Sequence, residues 1–460
     1  MKQPVDIPLS DGNLGNGKKV DGLQVKLGIA EKGEPNLLYE IASPNDASFY
    51  FGAGSLVDTI NRHFAEGGKT CYAMRPVNDV EGSVSSVTHT GSGSAVMTVT
   101  GDIMETRRVV VEIIQGGAFE TATFRYSLDN GITWSDVFTT PAVDVSIALF
   151  GSVKVSFSGS GDAFNNGDTY AFSTTAPTAS MTEFLVAVDA IRMQYSPERF
   201  PYRFIHIIGG FDRPFWEAIK TKLPEFEDAR IFINFILEYP AIADGEDILS
   251  YYYTMKDELR LFSALRISIV CSRLRYGTDE SFKSAAILLG AVLSGCKVNE
   301  HPGHVGQFAS KTAVKIQHWT ELSSIIDSLE TAKGVFACQY QNWEGIYIKK
   351  DWLLSPADSD FQTIHDLRPA DKARFIAYTK IMPYVNSEEG ADGDEGGVES
   401  LKADIDNAIS EQMEEPGNAE IKGHETELAF AANEVTGKLH LQKRGTNERY
   451  TLEIGYRKSE

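Results

Sequence analysis

The chain has 460 residues, of which 42% are hydrophobic and 10% aromatic, which predicts about two to four compact units with hydrophobic cores. Its net charge of −21 argues against nucleic acid or an anionic membrane surface as a partner, because both bind clustered Lys and Arg. No apolar run is long enough to span a bilayer, and residues 1–20 lack the apolar core of a secretory signal. We therefore expect the chain to fold and work in a cytoplasm, or in a particle assembled there, without membrane insertion.

The first part of the chain predicts an extended arm followed by an α/β segment. Residues 1–20 are polar and glycine-rich with two early prolines, which is typical of an N-terminal extended arm. The alternation in GLQVKLGIA predicts a strand, and Leu56, Ile60 and Phe64 have the spacing of an amphipathic helix. KTCYAMRPV predicts a buried strand, so we assign residues 21–77 to the first part of an α/β core.

The sequence pattern changes between residues 78 and 180. Helical periodicity disappears, and short alternating runs such as RRVVVEII and VKVSFSG are separated by turn residues. This pattern predicts an inserted all-β sandwich domain. From residue 181 to 386 apolar strands, such as RFIHIIGG and LRISIVCS, alternate again with amphipathic helices. That rhythm predicts the second part of the core, a mixed sheet covered by helices.

The end of the chain combines an acidic stretch with two strand-like runs. SEEGADGDEGGVES is rich in acids and glycine, so we interpret residues 387–420 as a flexible linker. Residues 421–460 contain GKLHLQK and RYTLEIGYR on either side of a polar turn. These two runs predict a C-terminal β-strand arm or hairpin.

The sharpest local motif is SLDNGITW, which matches the Asp-box pattern S-x-D-x-G-x-T-W of sialidase-type propellers. In this reading Ser127 opens a turn, Asp129 accepts backbone N–H bonds, Gly131 permits a positive φ and Trp134 packs beneath. The motif is structural in propellers, where it recurs once per blade, and it occurs once here. It therefore favours a structural turn over a glycosidase site.

No other motif predicts catalysis, a cofactor or a metal. His301 and His304 in NEHPGH lie in a loop without a complete ligand set, so packing or partner contacts explain them better. Gly209 and Gly210 follow a strand, but GGFDRPFW lacks both phosphate-binding patterns. The Tyr251-Tyr252-Tyr253 run fits an interface or burial between domains equally well. The four cysteines form no CxxC pair, which predicts buried, reduced thiols.

Several stretches, in order, resemble the contractile-tail sheath proteins, in particular a phage sheath-like group with an inserted β-domain. They are scattered over most of residues 20–385 and read FGAGSLVDTINRHFAEGGKTCYAMRPV, GSVSSVTHTGSGSAVMTVTG, FRYSLDNGITWS, GDTYAFSTTAPT, SAAILLGAVLSG with VNEHPGHVG, and DLRPADKARFIAYTKIM.

The resemblance implies a noncatalytic subunit without cofactors, located in a virion tail and assembled in a bacterial host cytoplasm. It implies hexameric rings of this chain stacked helically around a tail tube protein, with baseplate and tail terminator proteins as further partners. Contraction of the sheath would drive the tube through a target envelope. The resemblance also implies that strands of the terminal arms are donated to neighbouring subunits; the C-terminal candidates are Leu439, Leu441, Tyr450, Leu452 and Ile454.

Sheath proteins of this group face the tube with a C-terminal helix, so the locally basic strip Lys372, Arg374 and Lys380 is the candidate tube-facing surface. Two other readings stay open. One is a glycan hydrolase that uses the Asp-box region, and the other is a tail or adhesion protein whose 78–180 domain binds glycans. A pair of close carboxylates in a cleft would support the hydrolase.

Overall fold

A computed structural model describes residues 20–103, 106–131, 133–243, 245–277, 281–385, 395–431 and 434–445. The chain divides into two compact units. The first comprises the described residues of 1–25, 62–71 and 195–460, and the second comprises 26–61 and the described residues of 72–194. None of the described helices is long and apolar enough to cross a membrane.

The chain has a mixed α/β fold with several sheets, as the sequence predicts. The helices are α1 (Pro44–Phe51), α2 (Ser55–Ala65), α3 (Met181–Met193), α4 (Arg213–Asp228), α5 (Ile248–Arg260), α6 (Ala286–Leu293), α7 (Trp319–Glu330), α8 (Ile364–Ile381) and α9 (Glu395–Met413). The strands are β1 (Gln24–Leu27), β2 (Tyr39–Ile41), β3 (Cys71–Met74), β4 (Ser83–Val84), β5 (Thr88–Thr90), β6 (Val96–Thr100), β7 (Arg107–Gln115), β8 (Thr123–Ser127), β9 (Phe138–Thr139), β10 (Ile147–Phe150), β11 (Val153–Ser158), β12 (Thr169–Thr175), β13 (Phe204–Gly210), β14 (Asn234–Glu238), β15 (Ile267–Val270), β16 (Arg273–Tyr276), β17 (Phe282–Ser284), β18 (Ala313–Ile316), β19 (Ala337–Cys338), β20 (Tyr347–Ile348), β21 (Ile421–Ala431) and β22 (Glu434–Lys443).

The centre of the first unit is the parallel set β13, β14 and β15, in which Phe235 lies opposite both Ile205 and Ile267. These strands are near-continuous apolar runs because a parallel sheet is covered on both faces. Two of their buried polar residues pair with each other, since His206 Nε2 lies 2.9 Å from Glu238 Oε1. Burial by itself raises the pKa of Glu238, but the neighbouring His206 and the charge of Arg273 outweigh burial and hold that pKa below its usual range.

Two sequence features of the first unit have packing explanations. Gly210 lies so close to the next strand that a Cβ there would meet the Cα of Pro240 at 2.6 Å, which accounts for the glycine without a phosphate. The tyrosine run on α5 is divided, because Tyr251 and Tyr252 are buried whereas Tyr253 is half exposed. The four cysteines are buried and free of disulfides, as predicted.

The described residues between β3 and α3 form strands β4 to β12 and no helix. They build one sheet in the order β10-β11-β6 and another along β4-β12-β7-β8-β9, both antiparallel. Side chains such as Val111, Phe124, Phe157 and Tyr170 form a shared apolar core. We refer to residues 83–175 as the β-rich region.

The second compact unit is larger than the predicted domain 78–180, because it also takes in residues 26–61 and α3. Gln194, which follows α3, explains part of this. Its side-chain oxygen accepts the Leu38 N–H at 3.0 Å and its amide nitrogen donates to Asn36 O at 2.8 Å. These bonds join the first and second parts of the predicted α/β core.

The linker prediction for residues 387–420 is wrong for residues 395–413, which form α9. Leu401, Ile405 and Ile409 recur at helical spacing and pack against Ala373 and Ile376 of α8. The acids and glycines of 387–400 dominate the composition and hide the apolar spacing that begins at Leu401. Residues 386–394 lie outside the described residues.

The described partner of β22 is a strand that the sequence analysis did not predict. β22 pairs antiparallel with β21, which precedes it, so Leu439 lies opposite Thr426 and Leu441 lies opposite His424. The sequence analysis missed β21 because His424 and Thr426, which share its inward face, weaken the alternation of apolar residues. The second predicted run, with Tyr450, Leu452 and Ile454, lies outside the described residues, as does the arm at 1–19.

Candidate functional site

The described candidate assembly residues of the sequence analysis lie on α8 and β22. We call these two elements, together with α9 and β21, the C-terminal module. Its core is formed by apolar side chains of α8 and α9, with Ile421 at the start of β21. From the hairpin, Leu428, Leu439 and Leu441 pack against that core. Leu439 and Leu441 therefore contact their own chain, in contrast to the predicted role in a donated strand.

Lys372, the first candidate tube-facing residue, belongs to an internal ion-pair network. Its Nζ lies 2.7 Å from Glu420 Oε2 and 3.5 Å from Asp21 Oδ2, and only 17% of its side chain is exposed. Burial raises the pKa of the Glu420 carboxyl, although Lys372 acts in the opposite direction. Lys372 ties α8 to the segment that leads into β21.

Arg374 is half exposed and contacts a different set of partners. Its guanidinium lies 2.9 Å from Glu227 Oε2 and 3.9 Å from the ring centre of Phe232. Glu227 and the buried Asp371 also bind Arg266, which donates two bonds of 2.6 Å to Asp371. Arg374 is thus the outer member of a four-charge network.

Lys380 is the third candidate and lies exposed in the last turn of α8. Within the part of the chain that the structure describes, no carboxylate lies at ion-pair distance from it. The three predicted residues therefore do not form one uniform strip, since two bind acids of their own chain.

The Asp-box turn is held together by its own side chains. Asp129 Oδ1 accepts the Thr133 N–H at 2.8 Å, and Asp129 Oδ2 accepts the Thr133 hydroxyl at 2.5 Å. Ser127 Oγ donates to Asp129 Oδ1 and accepts the N–H of Gly131, whose φ is +89°. Both oxygens of Asp129 are committed to the turn, which is a structural arrangement.

Trp134, at the end of the motif, stacks on a charged side chain of β8. The Arg125 guanidinium lies 4.2 Å from its ring centre and pairs with Glu112 on β7 at 2.7 Å. The motif therefore stabilises one sheet of the β-rich region through contacts with β7 and β8.

A cluster of three titratable residues joins the NEHPGH loop to the start of α8. His365 Nδ1 lies 2.8 and 3.0 Å from the two oxygens of the fully buried Asp351, and His301 Nε2 lies 3.8 Å from Asp351 Oδ1. His304, by contrast, is exposed and faces Glu300 at 3.8 Å. The two histidines of the NEHPGH loop therefore face different partners.

The pKa values of this cluster follow from opposing effects. Burial by itself lowers the pKa of His365, but the carboxylate of Asp351 outweighs burial and raises it above the ordinary value. Burial likewise raises the pKa of Asp351, but His365 and His301 outweigh it and hold that pKa low. Each member of the pair therefore favours the charged form of the other.

His301, Asp351 and His365 offer three ligand atoms that lie within 4.8 Å of one another. However, the Gly303 N–H donates to His301 Nδ1 at 2.9 Å, so the proton of the neutral ring lies on Nε2, facing Asp351. His365 and Asp351 thus satisfy each other by hydrogen bonds, and metal binding by His301 Nε2 would require another tautomer. The sequence analysis missed Asp351 and His365 because no local motif contains them.

Comparison with known proteins identifies the family to which the chain belongs. Residues 3–350 match a family model described as "DUF2586, N-terminal domain", which covers more than half of the chain. The chain belongs to the DUF2586 family. No curated protein matches it.

Solved structures similar to this DUF2586 chain come from contractile assemblies. A chain of the anti-feeding prophage (AFP) baseplate, 6-fold symmetrised, has 9% identity and a TM-score of 0.54, with 99% of each chain covered. A chain of the PVC sheath complex in contracted state, from an extracellular contractile injection system, has 10% identity and a TM-score of 0.53, with 94% of this chain and 91% of that chain covered. The sheath tail protein from Desulfitobacterium hafniense has 17% identity and a TM-score of 0.48, with 96% and 100% covered.

At these identities the likeness concerns the fold. The DUF2586 chain has the fold of contractile sheath proteins over nearly its whole length, so the resemblance stated from the sequence is confirmed at the level of fold. The family match ends at residue 350, whereas the structural coverage exceeds 90% of the chain. The C-terminal module therefore lies beyond the family model of DUF2586.

Proposed function

We propose that this chain is the sheath subunit of a contractile tail or injection system. The observation that carries the proposal is the fold-level match of nearly the full chain to a subunit of a sheath complex in contracted state. A structural subunit needs no catalytic group, and both oxygens of Asp129 serve its turn, so the glycan-hydrolase reading has no support.

In the proposed function the chain polymerises with copies of itself into hexameric rings stacked around a tail tube. Baseplate and tail terminator proteins close the two ends, and the particle assembles in a bacterial host cytoplasm. Contraction is the passage of this lattice to a second packing, with an energy difference on the order of a few kcal/mol per subunit. The energy is stored in contacts between subunits, so the chain needs no nucleotide and no enzymatic activity.

Strand donation by the terminal arms would hold the lattice together during contraction. The described hairpin has two strands, so the backbone groups along the outer edge of β22 offer a template for another strand. We propose that β22 receives a strand from a neighbouring copy. Residues 1–20 and the run with Tyr450, Leu452 and Ile454 are the proposed donors, whereas Leu439 and Leu441 anchor the hairpin to its own chain.

The proposed tube-facing surface is now centred on Lys380. Lys372 and Arg374 bind acids of their own chain, so their reversal would disturb the fold as well as any contact with the tube. Lys380 is exposed and pairs with no acid among the described residues, so its reversal removes no ion pair within the described chain. A surface charge reversal changes stability by no more than about 0.5 kcal/mol.

Negative-stain electron microscopy of the purified full-length chain tests the proposal. We expect rings or tubes, and we expect ATP turnover no higher than in buffer. A protein that stays monomeric under all conditions and binds glycans would instead support the adhesion reading.

The tube contact is tested by adding tube protein to Lys380→Glu. We expect normal folding and self-assembly but loss of tube decoration. Lys154→Glu, an exposed reversal on β11, is the matched control and should decorate tubes normally. Normal decoration by Lys380→Glu would refute the contact without affecting the sheath assignment.

A further inference from the structure

A small polar cavity lies in the first unit where α8 approaches the starts of β13 and β14. Its volume is about 10 Å³. That volume is enough for one water and too small for an organic ligand. The lining residues are Asp21, Arg203, Phe232, Asn234, Val298, Arg368, Asp371 and Lys372.

Three lining residues carry a buried polar atom that has no hydrogen-bond partner among the described residues. These atoms are Arg203 Nη1, Asn234 Oδ1 and Arg368 Nε. Arg203, Asn234 and Arg368 are 7%, 2% and 4% exposed, so bulk water does not solvate them. Each unpaired buried group lowers the folding free energy gained by about 1–3 kcal/mol. One ligand that hydrogen-bonds to all three atoms would remove this cost.

The donor and acceptor pattern selects the ligand. Two guanidinium N–H groups and one amide oxygen require a molecule that accepts two hydrogen bonds and donates one. The lining carries cationic side chains as well as carboxylates, so the hydrogen-bond pattern decides. A simple anion cannot donate to Asn234 Oδ1, and a metal cation cannot accept from the guanidinium N–H groups. A water molecule satisfies the whole set.

We propose that this cavity binds one structural water that bridges Arg203, Asn234 and Arg368. The inference goes beyond the sheath function and does not depend on it. The three residues come from α8, the start of β14 and the residue before β13, so the water joins elements that are distant in the sequence.

Arg368, one of the three residues that bind the water, also binds the first described segment of the chain. Arg368 Nη2 donates to Asp21 O at 3.1 Å and to two carbonyls near the end of α6 at 3.4 Å, and Arg368 Nη1 donates to Lys297 O at 3.1 Å. Lys372 adds an ion pair to the Asp21 side chain. The water therefore fixes the guanidinium that holds the backbone at Asp21, just before β1.

A density map of the full-length chain at a resolution that shows ordered waters is the direct test. We expect one spherical peak within hydrogen-bonding distance of Arg203 Nη1, Asn234 Oδ1 and Arg368 Nε, and no anomalous signal there in crystals soaked in sodium bromide. A map without density in the cavity would overturn the proposal, and so would a bromide peak, which identifies an anion site.

The variant Asn234→Leu provides a second test, in which the direction of the change in Tm decides between a bound water and a dry cavity. If water bridges the three groups, removal of the acceptor leaves the water poorly bound, and Tm falls by about 2–6 °C. If the cavity is dry, the same change removes an unpaired acceptor, and Tm stays the same or rises, which would contradict the proposal. Asn299→Leu is the control, because Asn299 Oδ1 is also buried and unpaired within the described residues but does not line the cavity.

Discussion

The β-rich region and the C-terminal module are stabilised in different ways. The β-rich region has a contiguous apolar core that includes Phe124 and Phe157, and its buried carboxylate Asp168 is solvated by backbone N–H groups. The C-terminal module has a smaller apolar core and is surrounded by buried or half-buried charge pairs, such as Asp371 with Arg266. Apolar burial does not depend on pH or on electrostatic screening, whereas the energy of paired charges depends on both.

This difference in stabilisation suits a proposed contractile subunit, in which some parts must stay rigid while others change their contacts. An apolar core tolerates almost no rearrangement of its packing, whereas ion pairs between helices can exchange partners at similar energy. We therefore expect the β-rich region to behave as a rigid body and the surroundings of α8 to respond to conditions. The following variants test that contrast.

The largest effect is expected from Asp371→Ala. Removal of this carboxylate leaves the buried Arg266 with Glu227 as its remaining acid, and breaking a buried pair costs about 3–5 kcal/mol. Chemical denaturation followed by circular dichroism would measure the loss. A loss below about 1 kcal/mol would show that Arg266 finds other partners and that the contrast between the two regions is overstated.

The His365–Asp351 pair predicts a pH window for the C-terminal module. The pKa of His365 is raised in the folded chain, so its contribution is present below the unfolded value near 6.5 and is lost as pH rises through the folded value. The pKa of Asp351 is lowered, so its contribution is present above the unfolded value and is lost as pH falls through the folded value.

His365→Gln should therefore destabilise the chain by about 1.5–3 kcal/mol at pH 6 and by less at pH 9. The measurement is unfolding free energy against pH for the two proteins. His89, in the β-rich region, provides a control as His89→Gln, whose effect should be smaller at pH 6. Parallel pH profiles for wild type and His365→Gln would contradict the assignment.

Asp129→Ala tests the Asp-box turn in the β-rich region. The change removes two hydrogen bonds to Thr133 and one from Ser127, so we expect a loss of about 1–2 kcal/mol. The loss should be the same at pH 6 and pH 9, because the partners are backbone and hydroxyl groups. Asn130→Ala, at the neighbouring turn position with φ of +61°, separates the effect of turn conformation from that of the carboxylate.

Arg374→Met is expected to have the smallest effect. Arg374 is 45% exposed, and exposed ion pairs contribute about 0.2–1 kcal/mol, so the loss should lie in that range and shrink in 1 M salt. Thermal unfolding at low and high salt measures it. An effect as large as that of Asp371→Ala would mean that the half-exposed member, and not the buried pair, holds the network.

Local patterns in the sequence were sufficient where each element is defined by its neighbours in the chain. Alternation and turn residues predicted strands over residues 78–180, and continuous apolar runs predicted β13, β14 and β15. The Asp-box residues predicted a turn because serine, aspartate and glycine at that spacing bond to each other. The sheath-like fold also followed from stretches recognised in the sequence.

Contacts between distant residues were decided only by the tertiary structure. Spacing cannot show that Lys372 binds Glu420 or that His365 binds Asp351, because those partners are brought together by packing of separate elements. The pairing of β22 with β21 has the same origin, because side chains of both strands pack against the core formed by α8 and α9. Periodicity specifies an element and its buried face, whereas its partner depends on which apolar faces and charges meet when the chain folds.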